Sequence, residues 1–149
     1  MRAGELCNRD VVFATPDEAV GDAARRMLSH HVGALVVVDE VDDVRHPVGI
    51  LTDRDLVAAT LVGNLGHVRT VRVGDVMSID LLTANEDEDV FEAMQRMRAR
   101  GVRRLPVVDS RRALVGILTL DDLIAWLGEQ FTELTRVVAN ELRRERERG

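Results

Sequence analysis

Residues 2–39 and 72–109 carry one pattern twice, at a constant offset of 70. Arg2, Gly4, Asp10, Ala14, Asp17, Glu18, Met27 and Asp39 recur as Arg72, Gly74, Asp80, Ala84, Asp87, Glu88, Met97 and Asp109. After a loop three residues longer in the first copy, Val48-Gly49-Ile50-Leu51-Thr52 and Asp55 are matched by Val115-Gly116-Ile117-Leu118-Thr119 and Asp122. A repeat of this length dictates architecture before any single motif does. Each copy is too small to bury a good core alone, so the two are expected to form a pseudo-twofold pair with a shared interface.

Within each copy the local signals run strand, helix, strand, strand, helix. Short apolar segments at 11–14 and 81–84 read as strands. Thr15-Pro16-Asp17-Glu18 and Asn85-Glu86-Asp87-Glu88 read as capping signals that open a helix. Val20, Ala23, Ala24, Met27 and Leu28 follow at helical spacing, matched by Val90, Ala93, Met94 and Met97. Leu35-Val36-Val37-Val38 and Leu105-Pro106-Val107-Val108 read as buried strands, with Pro106 expected at a strand start where its missing N–H costs nothing. A turn leads to second apolar strands at 48–51 and 115–118, and second helices start at Thr52 and Thr119. The polar, glycine-containing stretch 63–71 reads as the linker. This gives units at 1–66 and 67–127 and a C-terminal helical extension at 128–149. On that extension Leu127, Phe131, Leu134, Val138 and Leu142 form a narrow apolar seam, to be covered by the chain's own body or by a second copy. The charged end, 143–148, is expected to fray.

Chemical inventory excludes much. Among 149 residues there is no Lys and no Tyr, so phosphate-loop, Schiff-base and kinase-type lysines are absent. Ser29, Ser78, Ser110 and Cys7 have no base placed beside them by any motif. His30 and His31 point about 100° apart on a helix and read as a C-terminal pair favourable to its dipole, while His46 and His67 lie in loops. Neither a catalytic metal nor a catalytic cofactor is expected. A net charge of −6 argues against nucleic-acid binding. No apolar run is long enough to span a bilayer, and the first residues are too polar for a signal peptide. With one cysteine, a cytoplasmic setting is expected.

The element Gly-h-h-Thr-x-x-Asp (h apolar), at 49–55 and 116–122, has two readings. Thr52 with Asp55, and Thr119 with Asp122, fit a capping box. The same helix terminus also favours a phosphate, and a carboxylate just inside it can accept both hydroxyls of a ribose. Arg103 and Arg104, just before a strand, can bring a phosphate-gripping guanidinium near such a site.

The stretch Gly101-Val102-Arg103-Arg104-Leu105-Pro106-Val107-Val108-Asp109, with Leu114 through Leu123 after it, resembles a cystathionine-β-synthase (CBS) domain. The first copy matches through 32–39 and 48–56, and the resemblance runs to about residue 127. It implies an α+β CBS pair that acts as a stand-alone regulatory module binding adenosine-containing ligands. AMP, ADP or ATP is expected, with S-adenosylmethionine, NAD(H) and cyclic dinucleotides as alternatives. Asp55 and Asp122 would hold ribose, with Thr52, Thr119, Arg54 and Asp121 beside ribose and phosphate. Arg103 and Arg104 would meet phosphates. The first copy has Gly33 and Ala34 there, so Arg103 and Arg104 are expected to serve a nucleotide whose ribose Asp55 holds. The adenine pocket would comprise Val12, Ala14, Leu82, Ala84, Ile50, Ile117 and Pro106. A homodimer and an unidentified protein partner are expected, and the alternative function is a ligand-free interaction scaffold.

Overall fold

The two β-branched runs become the central strands of two three-stranded sheets, because a strand buried on both faces must be apolar throughout. The computed structural model describes residues 1–62 and 70–149, so linker residues 63–69, with His67, lie outside the described residues. The first copy contributes α1 (Ala3–Leu6), β1 (Phe13–Ala14), α2 (Val20–His30), β2 (Ala34–Val41), β3 (Val44–Thr52) and α3 (Asp53–Val57), then a π-helical turn at Ala58–Val62. The second contributes α4 (Val73–Val76), β4 (Ala84–Asn85), α5 (Val90–Arg100), β5 (Arg104–Val108), β6 (Leu114–Thr119) and α6 (Leu120–Arg148). The sheet orders are β1-β2-β3 and β4-β5-β6, the first pair in each parallel and the second antiparallel.

The two copies exchange their N-terminal segments. The Ala3 and Gly4 N–H groups donate to the Glu88 and Glu86 carbonyls at 2.8 and 2.9 Å. Reciprocally, the Val73 and Gly74 N–H groups donate to Glu18 and Pro16 at 2.8 and 2.9 Å. Ala3 and Cys7 therefore lie in the second copy's core with Val90, Met97 and Leu105, and Val73 lies in the first copy's core with Met27 and Leu35. Further on, Asn8 and Ile117 exchange both backbone hydrogen bonds at 2.9 Å, and Ile50 and Ser78 do the same at 3.0 and 2.8 Å.

Several local expectations give way to this tertiary arrangement. The strands before the first helices begin later than 11 and 81 and hold two residues each. The helices start at Val20 and Val90, behind the caps Ala19 and Asp89. The segments read as capping boxes are turns instead, in which Glu18 and Glu88 accept from the Thr15 and Asn85 N–H groups at 2.7 and 3.2 Å. Pro106 is the third residue of β5, inside the central strand. Its counterpart Val36 donates its N–H to the Val12 carbonyl, a bond Pro106 cannot make. The longer loop of the first copy is a longer hairpin, turned at Asp42 and Asp43 with φ of 51° and 61° as a type I′ turn requires. His30 ends α2 and His31 is its left-handed cap, at the position of Gly101. The charged end stays helical to Arg148.

Gly49 and Gly116 are where the exchanged segments cross the sheets. A Cβ on Gly116 would fall 2.9 Å from the Asn8 carbonyl and 3.1 Å from the Cys7 Cβ. Gly116→Val is therefore expected to lower unfolding stability by about 1–3 kcal/mol, read as a lower urea midpoint.

Candidate functional site

The cap motif closes in both copies. The Thr52 N–H donates to Asp55 Oδ2 at 2.8 Å and the Asp55 N–H to Thr52 Oγ1 at 3.1 Å. At the start of α6, the Thr119 N–H and hydroxyl donate to Asp122 Oδ2 at 2.9 and 2.6 Å, and the Asp122 N–H returns to Thr119 Oγ1 at 3.2 Å. Each carboxylate thus has one oxygen locked by its cap. Oδ1 of both accepts no hydrogen bond among the described residues. The capping function and an outward-facing acceptor coexist in one side chain.

Asp122 opens onto a cleft of about 360 Å³ between the copies. The first copy lines it with Asn8, Asp10, Val11 and Val12 and with Val32, Gly33 and Ala34 at the entry to β2. The second copy supplies Arg104, Ile117, Thr119, Asp121 and Asp122. The Asn8–Ile117 bridge brings the two walls together, and the Asn8 side chain accepts from the Asp10 N–H at 2.9 Å to turn the chain along the cleft. Arg104 is the register partner of Thr119, which sets a guanidinium-bearing side chain beside the helix terminus. Arg103 lies at the rim, with Nη2 4.0 Å from Asp121 Oδ1 in an exposed pair. The lining holds three carboxylates (Asp10, Asp121, Asp122) and one guanidinium, with no His, Cys or Ser.

Seven sequence-predicted positions fare differently. Val12 and Ile117 face the cleft. Ala14 and Ala84 have no exposed surface and fill the two cores, because β1 and β4 are covered by α2 and α5. Pro106 is likewise buried in the sheet. Leu82 packs against the second core, and Ile50 bridges the backbone of Ser78. Arg104 does not share this cleft with Asp55; strand register sets it beside Thr119 and with Asp122 of its own copy. Thr52 and Asp55 cap α3 outside this lining, and the neighbouring Arg54 is exposed and makes no ion pair among the described residues. Sequence reasoning missed Asn8 and Val11 altogether. Asp10 was visible only as one of the recurring residues.

Arg26 and Phe13 both line a second cavity of about 510 Å³. The Arg26 guanidinium donates to the Phe13 carbonyl at 2.8 Å and to Glu18 at 2.5 and 3.1 Å. Arg96 repeats the clamp on the Thr83 carbonyl and Glu88. The hydrogen bond from Arg26, foremost, holds the Glu18 carboxyl below its ordinary pKa of 4.5, and the same pair raises Arg26. Burial, foremost, pushes the Cys7 thiol up, and its side chain packs in the second core.

The model of the CBS domain family matches residues 3–61 and again 73–129. An uncharacterized protein of Methanopyrus kandleri is 39% identical over 121 residues, spanning 81% of this chain and 60% of that one. Inosine-5′-monophosphate dehydrogenase of Methanocaldococcus jannaschii is 38% identical over 123 residues, spanning 83% of this chain and 23% of the enzyme. The chain thus spans less than two thirds of either relative. Among solved structures, a CBS domain pair in complex with 5′-methylthioadenosine and S-adenosyl-L-methionine superposes with a TM-score of 0.75 at 27% identity, over 87% of this chain and 98% of that one. Its paired α+β architecture is the one described above, with a C-terminal helix added here. Among the described residues no helix is long and apolar enough to cross a membrane.

The Glu18 clamp carries a pH signature. A depressed carboxyl stabilises the fold above its unfolded pKa, and that contribution is lost as pH falls through the folded value. Glu18→Gln is expected to cost about 1 kcal/mol at pH 7. The gap in melting temperature from the unmodified protein should close once the pH drops well below 4.5.

Proposed function

The chain belongs to the CBS domain family, and from that membership we propose that it is a regulatory module, not an enzyme, that binds an adenosine-containing ligand between its repeats. The ligand is of the AMP, ADP or ATP type, and its binding alters conformation or partner affinity. The observation that carries the reading is Asp122, whose Oδ2 is locked by Thr119 while Oδ1 is left without a hydrogen bond on the wall of an inter-repeat cleft. A ribose diol needs such a prepositioned charged acceptor.

In this reading Val12 and Ile117 flank the base and Asp122 holds the sugar. Arg104, with Arg103 at the rim and the α6 terminus, meets the 5′ group. One guanidinium among three carboxylates suits a ligand with few phosphates, so AMP is favoured over ADP and ATP. An uncharged or cationic 5′ substituent fits the same balance, and the solved pair bound to methylthioadenosine and S-adenosylmethionine supports that range. Both repeats wall the cleft, so a ligand that bridges them shifts the population toward the arrangement in which Asp122 and Val12 are both within reach. Asp55, with Thr52 and Arg54, offers a second ribose grip at the start of α3. On this proposal the module works in the cytoplasm as a homodimer, with a protein partner that reads its state. Neither nucleic acid nor membrane enters the reading.

Isothermal titration with AMP, ATP, 5′-methylthioadenosine and S-adenosylmethionine tests it. At least one compound should bind, with AMP tighter than ATP. Asp122→Asn, which keeps a cap acceptor but removes the charge, should weaken binding about 10- to 100-fold, the worth of a charged hydrogen bond of roughly 1.5–3 kcal/mol. Silence across all four ligands would return the clefts to a scaffold role, and unchanged affinity in Asp122→Asn would return that residue to capping alone.

A further inference from the structure

From Gly128 onward every residue of α6 is exposed, so the helix leaves the body of the protein and does not fold back over it. Its seam stays uncovered: Phe131 is 68% exposed, Leu134 62%, Val138 56% and Leu142 51%. Ile124, one heptad before Phe131 and 59% exposed, carries the stripe down to the helix base. Positions 124, 131 and 138 alternate with 127 and 134 at steps of three and four, the a/d pattern of a two-stranded coiled coil. A single projecting helix of about this length is marginal in water without a packed face.

Charge along α6 says what covers it. From Leu120 through Leu134 the helix holds Asp121, Asp122, Glu129 and Glu133 and no basic residue. Beyond Leu134 it holds five arginines, at 136, 143, 144, 146 and 148, against Glu141, Glu145 and Glu147. An acidic first half and a basic second half complement the same helix running the other way. A parallel pair would gather the two arginine-rich ends at one end of the bundle and align the two helix dipoles, whereas an antiparallel pair lays each basic end along the other copy's acidic half. We infer that α6 pairs with the α6 of a second copy of this chain in an antiparallel two-helix seam centred on Phe131 and Leu134. The inference deepens the homodimer part of the reading above and is independent of the ligand. The basic ends then point toward the partner's α6 base, on the side where the cleft opens.

Two measurements on the full chain test it. In sedimentation the unmodified protein should be a dimer, and Leu134→Glu or Phe131→Glu, each at an exposed position outside both cores, should give a folded monomer by circular dichroism. For orientation, a nitroxide is attached at Glu147→Cys in a Cys7→Ala background and the label separation is read by pulsed electron resonance. Antiparallel pairing puts the labels about 30–45 Å apart, from a rise of ~1.5 Å per residue on either side of the seam centre. A separation under about 20 Å, the span of two packed helices with their labels, means a parallel pair and overturns the proposal. A dimer that survives both seam variants places the interface elsewhere, and a monomeric unmodified protein removes the homodimer as well.

Discussion

Ala3 and Cys7 occupy a core whose other buried members all come from the second repeat, and Val73 sits among residues of the first. This mutual insertion is the constraint on which the rest of the molecule depends. Neither repeat closes its core without a segment of the other, so neither is an independent folding unit in the usual sense. The segments that cross are held by paired backbone hydrogen bonds at Asn8–Ile117 and Ile50–Ser78. Those crossings demand glycine at 49 and 116, since any side chain there meets the crossing backbone. The Gly of the Gly-h-h-Thr-x-x-Asp element is therefore a packing requirement, and its Thr and Asp are carried along in register.

That register also sets what the cap faces. The crossing segment, after leaving Ile117, turns at Asp10 and runs past the terminus of α6, so a carboxylate that would otherwise face solvent faces a cleft wall. Oδ2 of Asp122 satisfies the helix start, and Oδ1 accepts no hydrogen bond among the described residues. Capping thus uses only one of the two carboxylate oxygens. The clamps from Arg26 and Arg96 hold the chain at Phe13 and Thr83 against α2 and α5, and their recurrence at offset 70 marks them as part of the scaffold.

The copies are alike in backbone and unlike in charge. Arg103 and Arg104 stand where the first copy has Gly33 and Ala34, and all four lie near the strand entries that border the inter-repeat region. The first copy has an extended hairpin, and the second has an α6 that runs on for 29 residues. The copies differ at the strand entries that border the cleft, in the hairpin and in α6, while the exchanged segments share one pattern.

Much was legible in the residue order, because it depends on near neighbours. The repeat, the strand and helix order, the caps at Thr52 and Thr119, and the apolar seam past Leu127 are matters of spacing along one segment. What spacing could not supply was contact between segments far apart. It could not show that helices begin at Val20 and Val90 behind turns, or that Pro106 lies within a central strand. Nor could it show that Ala14, Ala84 and Pro106 are buried while Asn8, Asp10 and Val11 line the cleft. Above all it could not choose the partner of Arg104, which faces the region of Asp122 because strand register, not sequence proximity, decides which walls meet. Local periodicity determines what each segment is. Only the exchange of segments between the two repeats decides what each segment faces, and so which side chains meet at the cleft.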